Sequence, residues 1–252
     1  MAKLPSFLKF KSARDLIRIG RDNDGGYLVS QSDVDKSDVL IGLGINDDWS
    51  FERDFIKQND VEVFAYDASI SQKYFFKQFL KSLIIFYKPK IAFHWLKVIW
   101  DYLNFFSKPN HHHIKKYVGL NSENNIHCTL SSILDCSKYK SIYLKIDVEG
   151  SEYRFLNTLI LHQNRISGLV LELHDCDLHL KTIERFIDRF NLRLAHIHAN
   201  NYAPIRLDDG LPIAMELTFS SGCALEECAI LPHRLDMPNN RKEGEITLSF
   251  GT

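Results

Sequence analysis

The sequence predicts an α/β fold: a mostly parallel, doubly wound sheet with helices on both faces and one helical insertion. Three observations predict it. From residue 39 onward, short apolar runs of strand length alternate with segments of helical periodicity. One apolar run ends in glycines and the next ends in an acid. A lysine- and aromatic-rich stretch, residues 70–118, then interrupts the alternation.

The elements follow in order. Residues 1–37 read as an N-terminal lead-in, with Gly25-Gly26 marking a tight turn. Val39-Leu40-Ile41-Gly42-Leu43-Gly44 reads as a buried strand running into a loop. Trp49 to Gln58 has helical spacing, with Phe51 and Phe55 on one face. Val61 to Asp67 is a second strand. Residues 39–67 therefore spell one βαβ unit of a Rossmann-like sheet. The interruption holds nine lysines against a single acid, Asp101, and interleaves them with aromatics. Pro89 is expected to separate two helices and Pro109 to end the second. The triple histidine at 111–113 reads as a loop. Strands are then expected at Ile142–Asp147, Leu169–Leu173 and Arg193–His198, and helices at Glu152–Leu161 and Thr182–Phe190. Ala214–Phe219 and Ile246–Phe250 read as late strands that close the sheet antiparallel. The 252 residues suit one domain, 1–252, carrying that insertion.

Bulk properties narrow the function. A net charge of −1 provides no basic field for nucleic acid and favours a small or neutral substrate. Five cysteines with no C-x-x-C pair argue against a disulfide scaffold or a zinc ribbon. No apolar run reaches 18 residues, and the first residues lack a signal-peptide core, so a cytoplasmic location is expected.

Four constellations carry candidate chemistry. The first is Gly42, Gly44 and Asn46, with Asp67 and Ala68 closing the next strand. Glycines let backbone approach a ligand closely, and an acid there can accept ribose hydroxyls. Asp67 follows Gly44 by 23 positions, near the ~20 typical of nucleoside sites. Asp47 stands where a dinucleotide fold has its third glycine, and Asp48 follows. Two carboxylates would repel a pyrophosphate, whereas a sulfonium nucleoside suits them. The second is Asp147 and Glu149, projecting from a strand end, with Glu152 as a helix cap. The third is Glu172 and His174 on one face of the next strand, with His198 ending the one after. His174 reads as a general base. Asp147, Glu172, His174 and His198 are expected to converge as mixed oxygen and nitrogen ligands suited to Mg or Mn. The fourth is the charged segment Arg18–Tyr27, expected to fold over the ligand and bring Asp24 and Tyr27 to it.

On these residues the chain resembles the FkbM-type family of class I methyltransferases. The matching segments are Asp24-Gly25-Gly26-Tyr27, Ile41-Gly42-Leu43-Gly44, Tyr66-Asp67-Ala68, Lys145-Ile146-Asp147-Val148-Glu149-Gly150-Ser151-Glu152 and Leu171-Glu172-Leu173-His174. Asn200-Asn201-Tyr202 and Leu235-Asp236-Met237-Pro238-Asn239 also look like family features. The resemblance implies a seven-stranded sheet, S-adenosyl-L-methionine as cofactor, and O-methylation of a sugar or other natural-product hydroxyl. By position, it implies that Gly42 and Gly44 line the cofactor and Asp67 holds its ribose. It places Asp147 beside the methionine moiety or the reacting centre.

The insertion has several readings. Its aromatics and lysines suit an acidic or lipid-linked surface polysaccharide. They also suit peripheral contact with the inner face of a membrane through 70–110, packing on the domain, or a homodimer interface. Two other function classes stay open: a non-catalytic module that keeps the cofactor fold, and a NAD-dependent oxidoreductase.

Overall fold

The computed structural model describes residues 2–84, 89–119, 125–225 and 227–251. The lead-in forms β1 (Ala2–Leu4), an antiparallel pair β2 (Leu16–Ile19) and β3 (Tyr27–Ser30), and α1 (Gln31–Asp35). The expected βαβ unit follows as β4 (Val39–Leu43), α2 (Ser50–Gln58) and β5 (Glu62–Tyr66). Next come α3 (Gln72–Leu83), α4 (Pro89–Phe106), β6 (His111–Ile114) and β7 (Tyr117–Gly119). Then follow β8 (His127–Thr129), α5 (Leu130–Cys136), β9 (Ile142–Ile146), α6 (Leu156–His162) and β10 (Ile166–Leu173). The last elements are α7 (Cys176–Arg189), β11 (Arg193–Ala199), β12 (Met215–Ser220) and β13 (Leu248–Phe250).

Seven strands make the central sheet, in the order β11-β12-β10-β9-β4-β5-β6. All its pairings are parallel except those of β12, which runs antiparallel between β10 and β11. Relative to the Rossmann order 3-2-1-4-5-6, one antiparallel strand has been added between the fifth and sixth. The chain leaves β4 toward β5 and β6, then returns to place β9 on the other side of β4. The crevice at the carboxyl ends of β4 and β9 is therefore the topological switch point, where open α/β sheets bind ligands.

Strand alternation decides what each face of the sheet buries. On one face, Ile41 and Leu43 of β4, Ile142, Leu144 and Ile146 of β9, and Leu169, Leu171 and Leu173 of β10 share a core with α5, α6 and α7. The alternate positions, Leu40, Tyr143 and Val170, pack with α1, α2 and the β2–β3 pair. On that second face the side chains turn polar toward the carboxyl edge: Lys145, Glu172, Glu216 and His198 are all buried.

Several expectations change. The triple histidine is not a loop but edge strand β6, paired with β5. His112 stacks on Phe64 and contacts Glu62, while His111 and His113 bond the backbone of Phe105 and Asp67. The helical part of 70–118 thus ends at Phe106, and Phe86, Tyr87 and Lys88 lie outside the described residues. Residues 246–250 do not close the main sheet: β13 pairs in parallel with β1. The expected helix from Glu152 opens as a 3-10 turn and becomes α-helical at Leu156, while the Glu152 carboxylate turns back onto the preceding loop.

Candidate active site

The carboxyl ends of β4, β5 and β9 are locked in step. The Gly44 amide donates to the Tyr66 carbonyl (3.0 Å), and the Asp147 amide donates to the Leu43 carbonyl (3.0 Å). A cleft of about 1070 Å³ opens above them. Gly44, Asn46, Asp67, Asp147, Glu149, Glu172, His174, Asp24 and Tyr27 all line it. Gly42 and Ala68 do not. Gly42 lies beneath, where an added Cβ would come within 2.8 Å of the buried Glu52 carboxylate.

Two backbone loops frame the cleft in left-handed conformations. Gly44 and Asn46 have φ of 81° and 44°, and Glu149 and Gly150 have 52° and 90°. Such strain in non-glycine residues concentrates at ligand sites. The loops also touch: a Cβ on Gly44 would lie 1.8 Å from the Asp147 carbonyl oxygen.

Asp67 holds the first loop. Its Oδ2 accepts from the amides of Ile45 (3.1 Å) and Asn46 (2.9 Å), and its Oδ1 from the amide and hydroxyl of Ser69 (2.8 and 2.6 Å). Burial would raise its pKa, but these bonds outweigh burial and lower it. All the usual acceptor positions of this carboxylate are filled by the protein itself.

Asp48 occupies the start of α2. Its Oδ1 accepts from the Ser50 amide at 3.0 Å, and its Oδ2 meets Arg21 Nε at 3.0 Å. In a dinucleotide fold, that helix N-terminus receives the pyrophosphate. Here a carboxylate is already seated there.

The second loop centres on Glu152, which is fully buried. Its Oε1 accepts from the Gly150 amide at 2.9 Å and lies 3.1 Å from His174 Nδ1. The other ring nitrogen of His174 faces Glu149 (3.6 Å) and Glu172 (3.8 Å). The Glu152 hydrogen bond, with the charges of Glu152, Glu172 and Glu149, pushes the His174 pKa up to about 9. His174 therefore rests as the cation at neutral pH, not as the free base expected from the sequence. Burial, then the charges of Asp147 and Glu216, push Glu172 up to about 8. Burial also raises Asp147, against the pull of Lys145. Tyr27 donates to Glu172 (3.1 Å), Asn200 donates to the other Glu172 oxygen (2.7 Å), and Lys145 donates to the Gly44 carbonyl (2.9 Å).

His198 does not join this group. Strand β12 separates its strand from β10, and His198 instead bridges Glu216 and Glu245, each at 3.0 Å. Among the described residues, the ligand atoms that lie within 4.8 Å of one another are those of Asp147, Glu149 and His174. Glu172, expected in the set, is not part of it, and Glu149 takes a place in it. Sequence reasoning misses Glu152 as the group that orients His174, and it misses Lys145 and Glu52 as buried charges. A lysine inside an apolar strand run is the available signal for Lys145.

The lead-in and the C-terminal segment cover the polar face together. Asn23 donates to the Pro238 carbonyl at 2.7 Å, and Asn239 donates to Glu216 at 2.6 Å. His196 bonds Asp236 at 2.9 Å. These contacts bring the Asp24-Gly25-Gly26-Tyr27 and Asp236–Asn239 motifs to one place.

A pH dependence of stability follows. His174 rises from 6.5 to about 9, so its contribution is complete below pH 6.5 and lost as pH rises through about 9. Glu172 rises from 4.5 to about 8, so its buried charge destabilises the fold progressively between those values. The melting temperature should fall as pH rises from 6.5 through about 9. His174→Gln should flatten the part around and above about pH 9, past the Glu172 midpoint of about 8. An unchanged slope there would contradict this assignment.

No protein-family model matches the chain, and no curated protein matches it. Solved structures similar to it include an rRNA methylase from Streptococcus thermophilus (8% identity, 75% of this chain and 93% of that one, TM-score 0.39). A precorrin-6y C5,15-methyltransferase from Geobacter metallireducens is similar over 77% of this chain and 85% of that one (12% identity, TM-score 0.39). TrmK of M. capricolum, solved with S-adenosyl-homocysteine, is similar over 78% of this chain and 71% of that one (14% identity, TM-score 0.38). At these identities and scores the likeness carries nothing about reaction or substrate.

Proposed function

We propose that the chain is an S-adenosylmethionine-dependent O-methyltransferase acting on a hydroxyl of a sugar or glycan. The observation that carries this reading is Asp48 at the N-terminus of α2. It fills the seat of a pyrophosphate and disfavours NAD. With Glu172 neutral and His174 charged at neutral pH, carboxylates and cations line the cleft in nearly equal number, so the selection rests on Asp48. Asp67 fits less directly. A ribose there has to replace the Ser69 hydroxyl on Oδ1, a rotation that leaves the loop amides in place.

When bound, the cofactor supplies an activated methyl group on a sulfonium. The chain's own residues do the rest. Gly44 permits close backbone approach. Asp147, made more basic by burial, accepts the proton of the acceptor hydroxyl. The His174 cation, fixed by Glu152, holds the carboxylate cluster in place. Asp147, Glu149 and His174 would also hold Mg or Mn, if the metal displaced the His174 proton. Tyr74, Tyr202 and Arg154 on the cleft wall offer ring faces and a cation to an acidic sugar. Paired titrations with S-adenosylhomocysteine and NAD test the cofactor assignment, with saturable binding expected for the first alone.

A further inference from the structure

The α3–α4 hairpin has two sides. Phe75, Val98, Tyr102 and Phe105 are buried against Ile45, Trp49, Ala65 and Ile70. The opposite side carries two exposed apolar stripes at helical spacing. On α3 these are Phe76, Leu80 and Leu83, and on α4 they are Phe93, Leu96, Trp100 and Leu103. Phe93 is 72% exposed and Trp100 67%. Packing on the domain therefore accounts for only part of the hairpin's apolar surface.

Charge identifies the occupant. Lys73, Lys77, Lys81, Lys90 and Lys97 flank the stripes and are exposed. None of these lysines forms an ion pair among the described residues. The hairpin's one acid, Asp101, is paired with Arg53. A second copy of the chain would bring lysines against lysines. An anionic lipid surface would accept both the rings and the lysines. No helix among the described residues is long and apolar enough to cross a membrane, so the contact is peripheral.

We propose that the exposed face of the α3–α4 hairpin docks on an anionic lipid bilayer. Tyr74, in the first turn of α3, lines the cleft, so docking sets the cleft beside the headgroups. The proposal does not depend on the reaction assigned to the cleft.

Vesicle co-sedimentation of the full chain tests it, using phosphatidylcholine vesicles with and without about 30% phosphatidylglycerol. The expected result is binding to the anionic vesicles and at least tenfold less to the neutral ones. The double variant Phe93→Ser, Trp100→Ser should lose binding tenfold or more at an unchanged melting temperature. If that variant unfolds, the triple variant Lys73→Glu, Lys77→Glu, Lys81→Glu decides, with the same loss expected. Equal sedimentation of wild type and the folded variants would overturn the proposal. So would self-association of the wild type that the variants abolish, which would assign the face to a second copy.

Discussion

Replacing Gly44 with alanine is expected to lower the melting temperature and abolish S-adenosylhomocysteine binding. The added Cβ would sit 1.8 Å from the Asp147 carbonyl oxygen, at a φ of 81°. Neither strain can relax cheaply, because both partners are backbone fixed by β4 and β9. The cost is about 3 kcal/mol or more, or roughly 6–12 °C for a domain of this size. Gly150→Ala is the control. Its φ of 90° is also left-handed, but nothing lies within 4 Å of an added Cβ. It should cost about 1–2 kcal/mol from backbone strain alone. Thermal denaturation of the two variants separates the clash from the strain. Equal losses would mean that the two loops do not meet as described.

Asp147→Asn should lower methyl transfer by about 10²–10⁴-fold, the range for loss of a general base. Stability should hold or rise, because burial disfavours the Asp147 charge and asparagine removes it. S-adenosylhomocysteine affinity should change little. Turnover and melting temperature, measured on the same preparation, make the test. Turnover near wild type would remove Asp147 from the base role.

The two central strands, β4 and β9, are legible in the sequence because they are covered on both faces. Val39–Leu43 and Ile142–Ile146 are buried throughout, so they read as nearly continuous apolar runs. The strand His111–Ile114 is not legible, since its residues carry no apolar alternation and depend on pairing with β5. Asp147, Glu149 and His174 are legible as strand-end groups, because chain order places parallel strand ends along one edge. His198 has the same local pattern, but β12 inserts between β10 and β11, and local spacing does not encode that. Asp67 is found by its spacing. That its oxygens are occupied by Ile45, Asn46 and Ser69 depends on loop geometry that spacing does not reveal.

Asp48, seated at the N-terminus of α2, is expected to select a phosphate-free nucleoside over a pyrophosphate cofactor. Calorimetric titration of the chain with S-adenosylhomocysteine and, separately, with NAD tests it most directly. The expected result is saturable one-site binding of S-adenosylhomocysteine, lost in Gly44→Ala, and no binding of NAD. Saturable binding of NAD with none of S-adenosylhomocysteine would contradict it.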